Sequence, residues 1–145
     1  MSGSARRTRP TPKPKPPPRH GTKVDEHAIA LREGKGSPEA GGGRGGYYWH
    51  IDVDGKRVGR VFINMIDETP FGEHPSIQIY LNKNQQGRRI GSVAYRLACE
   101  ASGYDAVYAH MSKSNVASQR AAGAAGFEVV ERPDLRQLTM VWHRR

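Results

Sequence analysis

Cysteine is almost missing: one residue, Cys99, in a chain of 145. A single cysteine excludes an internal disulfide, which fits a reducing cytoplasm. Nothing in the sequence near Cys99 lowers its pKa, so it reads as a small packing residue rather than a nucleophile. Paired cysteines are absent as well. The six histidines, His20, His27, His50, His74, His110 and His143, are scattered, so no metal-ligand spacing appears. No apolar run approaches the roughly 20 residues that cross a bilayer, and no apolar N-terminal stretch of signal-peptide type is seen. The expectation is a cytoplasmic protein without membrane contact. Hydrophobic residues make up 36% of the chain, low for a globular protein. The length allows one domain.

Acidic residues are missing from the first 23 positions. That stretch instead holds Arg6, Arg7, Arg9, Lys13, Lys15, Arg19 and Lys23, with six prolines. Proline removes backbone donors and favours extended polyproline II, and nothing here could bury a core. Residues 1–23 are therefore expected to be a disordered basic tail, and 24–145 the domain. Of the net charge of +9, seven lie in the tail, leaving 16 Lys and Arg against 14 Asp and Glu in the domain. The tail reads either as a counterion-releasing arm for nucleic acid or another polyanion, or as a solubilising linker. It has no aromatic residue to stack on bases, which favours the linker.

What is present centres on Tyr80 to Gly91, YLNKNQQGRRIG. The preceding Ser76 to Leu81 alternates, putting Ile77, Ile79 and Leu81 on one face of a strand. After the turn, Ile90, Val93, Ala94, Leu97 and Ala98 fall on one face of a helix. A strand, a Gly- and Arg-containing turn and a helix N-terminus make an anion site. The free N–H groups of the first turn point at the ligand, and the macrodipole favours negative charge. Gly91 admits close backbone approach, and Arg88 and Arg89 can pair with phosphate oxygens. Downstream, Asn115 to Gly126 is an Ala-rich helix opened by polar residues and closed by glycine, leading through Phe127 into a strand.

These two blocks together resemble the GNAT superfamily of acyl-CoA-dependent N-acyltransferases, over roughly two-thirds of the chain from Tyr47 onward. The family's pyrophosphate loop, Arg/Gln-x-x-Gly-x-Gly/Ala, fits Gln86-Gly87-Arg88-Arg89-Ile90-Gly91, with Arg89 in place of the first Gly. Its second motif, Asn-x-x-Ala/Ser with a later Tyr and Gly-Phe, fits Asn115, Ser118, Gly126 and Phe127, with Ala122 at the Tyr position. The resemblance implies an α/β fold: a mixed, mostly antiparallel sheet of six to seven strands with two main helices. It also implies acetyl-CoA as cosubstrate and a primary amine as acceptor. The family's first two helices would lie between the first two strands, where this chain has Gly34, Gly36, Gly41, Gly42, Gly43, Gly45 and Gly46. That segment is expected to be loop, leaving the acceptor side open or completed by another chain, as in a homodimer.

The remaining elements follow from pattern. His27 to Arg32 reads as a first strand; Tyr47 to Val53 and Lys56 to Ile66 are strands joined by the hairpin signal Asp54-Gly55. Asp67 to Pro75 reads as loop. Asp105 to His110, Phe127 to Glu131 and Gln137 to His143 are the later strands.

Acyl transfer from a thioester to an amine needs proton removal from the amine, donors for the oxyanion, and departure of the thiolate. By resemblance, a backbone N–H near Leu81 would take the thioester oxygen, the loop from Gln86 to Ser92 the pyrophosphate, and Asn115, with Ser118, the pantetheine arm or adjoining phosphates. Asn115 equally reads as the cap of its own helix. In the branch that acetylates protein N-termini, a Glu five residues before the motif Asn is the base; here that place is His110. A histidine there could take a proton near neutral pH, or could be a strand-end residue hydrogen-bonded to its surroundings. Glu68, Glu73 and His74 are rival bases. Ala122 cannot donate a proton, so the thiolate leaves unprotonated or another residue, Tyr80 or Tyr47, is the acid. A non-catalytic nucleic-acid- or polyanion-binding protein on a degenerate acyltransferase scaffold is the opposing reading.

Overall fold

The computed structural model describes residues 22–145; the expected tail, apart from Thr22 and Lys23, lies outside the described residues. Seven strands form one sheet in the order β1-β2-β3-β4-β5-β7-β6. The meander β1 (Ile29–Glu33), β2 (Tyr47–Val53), β3 (Lys56–Glu68) and β4 (Gly72–Leu81) is antiparallel throughout. Helix α1 (Ile90–Ser102) then carries the chain back, so that β5 (Ala106–Met111) runs parallel to β4. After α2 (Val116–Ala124) come β6 (Glu128–Val129) and β7 (Leu138–His143), with β7 placed between β5 and β6.

Local sequence accounts for the turns. Asp54 and Gly55 both take positive φ, 51° and 81°, the pair of left-handed residues whose twist suits a two-residue hairpin. Gly103, at φ 80°, ends α1 where a left-handed residue releases the chain.

One expectation needs correction. Residues 67–75 are not a loop: β3 and β4 continue as a ladder through Met65↔Pro75, Asp67↔Glu73 and Glu68↔Gly72. The stretch is polar and carries two prolines, so it shows no apolar alternation, yet extension of an existing ladder needs none. Pro75 stands one residue before the pairing of β4 with β5, where β4 is still an edge on that side and proline is tolerated.

Both helices cover one face of the sheet. Ile90, Ala94 and Ala98 of α1 pack with Ile51, Val61, Ile63, Ile77 and Val107 of the strands, and α2 adds Ala122. Burying each of the Ile and Val side chains is worth about 1.5–3 kcal/mol. The helices approach closely: a Cβ on Gly91 would lie 3.4 Å from the Cβ of Ala121.

The opposite face carries Tyr48, Arg60, Phe62, Asn64, His74, Ser76, Gln78, Tyr80, Tyr108, His110 and Thr139, as the strand registers require. The glycine-rich segment between β1 and β2 covers it with one irregular turn, Pro38–Gly42, in which Ala40 and Gly41 leave helical dihedrals. The turn is fastened by Asn64, whose Oδ1 accepts the N–H of Gly41 at 2.8 Å and whose Nδ2 donates to the carbonyl of Glu39 at 2.7 Å. No helical pair occupies this segment among the described residues.

Candidate active site

The gap between β4 and β5 frames the site. The two strands register at one pair, Ser76↔Tyr108, and part beyond it. On its other side β4 stays joined to β3 as far as Asn82, whose N–H donates to the carbonyl of Val58 at 2.8 Å. Antiparallel alternation therefore turns the backbone polar groups of Leu81 and Ile79 into the gap.

At the C-terminal end of the gap, residues 82–89 form an exposed loop with a short turn, Lys83–Gln85, and α1 starts at Ile90. Arg89, where the motif calls for glycine, adopts φ 75°, so the left-handed backbone persists without the residue that favours it. The N–H groups of Ile90, Gly91 and Ser92 are the first of α1 and have no helical partner of their own. The Ser92 hydroxyl donates to the Arg89 carbonyl at 3.0 Å. Gln86, Gly87 and Arg89 are exposed on the loop. Arg88 is held differently: its Nε donates to the carbonyl of Thr22 at 2.9 Å and its Nη1 to Oε1 of Gln85 at 2.6 Å. Asn115 caps α2, its Oδ1 accepting the N–H of Ser118 at 3.1 Å, the role a polar residue plays at a helix N-terminus.

A second cluster lies at the point where the strands part, on the open face. His110 of β5 and His74 of β4 face each other with their Nε2 atoms 2.9 Å apart. The Nδ1 of His74 is 2.7 Å from the Gly72 carbonyl, and the Nδ1 of His110 is 3.1 Å from Oγ1 of Thr139 on β7. His74 is buried and His110 half-buried. Burial, followed by the neighbouring charge of His74, holds the pKa of His110 below its ordinary value, while Glu68 acts against both. Aromatic rings wall the pair: Tyr108 lies 5.0 Å from His74 and stacks on His110 at 6.5 Å, with Phe71 4.7 Å from Tyr108. The guanidinium of Arg132, itself bound to Asp134, sits 5.9 Å from the Phe71 ring.

The other candidates are distributed elsewhere. Tyr80 is exposed, its hydroxyl donating to Oε1 of Gln78 at 3.3 Å and its ring lying 5.0 Å from the Arg60 guanidinium. It stands four residues beyond Ser76, about 13 Å along the strand. Tyr47 lies on the helix-covered face, stacked on Trp49. Glu73 pairs with Arg44 at 3.0 Å, and Glu68 is exposed. Ala122 is fully buried. Cys99 is buried too, which pushes its thiol pKa up and fits a packing residue. Sequence reasoning kept His74 as a rival of His110 rather than its partner, and passed over Thr139, Phe71 and Arg132. The ladder that brings His74 toward His110 was hidden in the stretch read as loop.

A mixed, mostly antiparallel sheet of seven strands with a splayed parallel pair, two helices packed on one face and a loop leading into α1 is the architecture of an acyltransferase fold. Residues 6–128 match the model of the acetyltransferase (GNAT) domain family, and the chain belongs to that family. No curated protein matches it. Among solved structures it is similar to the aminoglycoside acetyltransferase AAC(6')-Ib in complex with ribostamycin and coenzyme A, at 24% identity and TM-score 0.56, covering 69% of this chain and 65% of that one. It is also similar to the microcin C7 self-immunity acetyltransferase MccE in complex with acetyl-CoA and AMP, at 22% identity and TM-score 0.55, covering 70% and 62%. RimJ of Mycobacterium smegmatis, in complex with CoA-disulfide, aligns at 16% identity and TM-score 0.53, covering 68% and 53%. The chain thus spans less than two-thirds of the length of each of these proteins, and the likeness establishes the fold.

Proposed function

We propose that the protein transfers an acetyl group from acetyl-CoA to a primary amine, with His110 as general base. The observation that carries the reading is the position of the His74–His110 pair where β4 and β5 part, at the opposite end of the gap from the loop of residues 82–92. In this reading the pyrophosphate of CoA lies on the backbone of Gln86 to Ser92, and Asn115, besides capping α2, borders the pantetheine path with Ser118. The thioester carbonyl points at the backbone of Leu81.

The proton inventory follows from the residues. An amine attacks as the neutral base, so the tetrahedral adduct carries an extra proton on nitrogen. A histidine with a lowered pKa is neutral at pH 7 and can receive it. Collapse expels the thiolate, and the imidazolium so formed is a proton source for the sulfur. His110 can therefore serve first as base and then as acid, a scheme that needs no donor at Ala122. Tyr80 is the acid the sequence suggested; its distance from the point of strand separation favours His110 for both steps.

The open sheet face supports an acceptor reached without a helical wall, or a second copy of the chain covering that face. The tail's charge supports a polyanion-binding arm, and the lone buried thiol a reducing cytoplasm. The reading is tested by incubating the full chain with acetyl-CoA and a panel of amines while following free thiol. Acetylated amine in stoichiometry with thiol is expected, and neither should form with His110→Ala at comparable rate. Tight CoA binding without thiol release from any amine would instead favour the non-catalytic scaffold.

A further inference from the structure

We propose that Arg60, with Arg57, is a specificity-determining pair on the acceptor side of the gap, and that the amine it selects carries a phosphate group; the inference rests on the acetyl-transfer reading above. Arg60 stands directly across the β3–β4 ladder from Tyr80, the neighbour of Leu81, whose backbone faces the gap. Its guanidinium is half-buried on the open sheet face, 5.0 Å from the Tyr80 ring and 5.5 Å from the Phe62 ring. Stacking uses the flat face of a guanidinium, while the N–H donors point outward in its plane. The two rings therefore hold the cation in place and leave its donor edge to another group. Among the described residues no carboxylate pairs with it.

Arg57 reaches the same face through a bulge. The β2–β3 register slips between Ile51, paired with Gly59, and Asp52, paired with Arg57, so Val58 is the extra residue and packs into the core. The Arg57 guanidinium lies 3.5 Å from the Tyr48 hydroxyl, and Tyr48 stacks on Phe62 at 6.3 Å. Asp52, the carboxylate across the ladder from Arg57, is already taken: it accepts Nε and Nη2 of Arg32 at 2.8 and 3.2 Å. Two guanidiniums thus share one patch with no paired carboxylate among the described residues, an arrangement that costs stability until a ligand supplies the opposite charge. The field extends to His50, the partner of Arg60 on β2: burial, then Arg57 and Arg32, hold its pKa below the ordinary value. A carboxylate carries one charge and is satisfied by one guanidinium fork, whereas a phosphate monoester carries nearly two at neutral pH and offers three acceptor oxygens. Two guanidiniums beside an acyl site fit the phosphate. Its source is a small phosphorylated amine or an amine at the end of a nucleic-acid strand, and the chemistry at the two arginines is the same for both.

The test uses the full chain with ethanolamine, phosphoethanolamine and β-alanine, and with an oligoribonucleotide ending in an aminoalkyl group. With acetyl-CoA, kcat/KM should be about 10-fold or more higher for phosphoethanolamine than for ethanolamine, the scale of a charge-assisted hydrogen bond. Arg60→Gln should remove most of that preference through KM for the phosphorylated amine, with kcat little changed, and Arg60→Lys should keep part of it. A role for Arg60 in packing alone would lower the rates with both amines together. Without any turnover, the side-chain Nε–H signals of Arg57 and Arg60 should shift on adding phosphoethanolamine and not on adding ethanolamine. A lower KM for the oligoribonucleotide than for phosphoethanolamine would support the proposal with a strand as the source, and the reverse would support it with a small molecule. Equal kcat/KM for ethanolamine and both phosphate-bearing amines, a preference for β-alanine, or unmoved arginine signals would overturn it in an enzyme that acetylates amines. Arginine shifts with no amine acetylated would instead overturn the acetyl-transfer reading and the acceptor role that rests on it.

Discussion

The guanidinium of Arg88 donates to the carbonyl of Thr22 at 2.9 Å, while the Arg88 carbonyl accepts the N–H of Val24 at 3.1 Å. The segment entering the domain is thus stitched to the loop before α1 from both the side chain and the backbone of one residue. A cation expected to face phosphate is partly spent on holding the chain. Arg88→Ala should cost about 1 kcal/mol, the net worth of an ordinary hydrogen bond. It should also raise amide exchange in residues 22–28 while leaving the core strands protected. Unchanged exchange there would show that the contact carries no stability.

Truncation should find the edge of the domain sharply. Val24 is buried against the core, whereas Thr22 and Lys23 are exposed. Removing residues 1–21, which hold no core-forming side chains, should change stability by less than about 0.5 kcal/mol. Removing 1–24 should cost about 1.5–3 kcal/mol more, for one aliphatic side chain lost from the interior. Denaturant midpoints of the two truncations decide it; a large loss on removing only 1–21 would place part of the basic segment against the domain.

At Arg89 stability and binding should move in opposite directions. A non-glycine residue at φ 75° stores roughly 1 kcal/mol of backbone strain. Arg89→Gly should therefore stabilise the fold by about that much, while CoA binding weakens through loss of a cation at the head of α1. Calorimetry of CoA binding and thermal unfolding on the same variant check both signs. Tighter CoA binding would mean that the arginine obstructs rather than assists.

The elements that frame the candidate site were legible in the sequence because their signals are local. The alternation of Ser76 to Leu81, the glycines around Arg88 and Arg89, and the apolar face of Ile90 to Ala98 lie within about 25 residues and obey simple periodicities. Asn115 showed itself as a cap by residue type and place. The partnership of His74 with His110 was not legible. It depends on β4 beginning at Gly72, within a polar, proline-containing stretch, and on Thr139 arriving from a strand inserted between β5 and β6. Register across three strands decides which side chains meet, and no window of one strand contains it. The reversal at Arg89 was visible as a departure from glycine, but the backbone angle it keeps was not.

Acid should destabilise the fold. Burial and the His74 charge hold His110 below its ordinary pKa of 6.5, and burial with the nearby Arg57 and Arg32 moves His50 the same way. Between the folded and unfolded pKa values the unfolded chain binds more protons, so stability rises with pH across that window. Stability should fall as pH drops below 6.5 and stop falling, from these groups, below the folded values. Denaturant midpoints from pH 7.5 to 4.5 test the sign, and His110→Gln should flatten part of the slope.

Catalysis should follow the same titration. In the proposed reaction neutral His110 is the base, so the limb of kcat/KM that depends on His110 should rise with pH through a value below 6.5 and then level. No fall from a deprotonating tyrosine at the position of Ala122 should follow, because that residue is a buried alanine. His110→Ala should lower kcat by about 10²-fold or more, the usual scale for removing a general base. KM for acetyl-CoA should change little, because the loop proposed to hold CoA lies at the far end of the gap. Glu68 and Glu73, the carboxylates nearest the cluster by sequence, are exposed, and Glu73 pairs with Arg44. Their alanine variants should keep most of the activity. Full turnover in His110→Ala, combined with loss in Glu68→Ala, would transfer the base to that carboxylate acting through water.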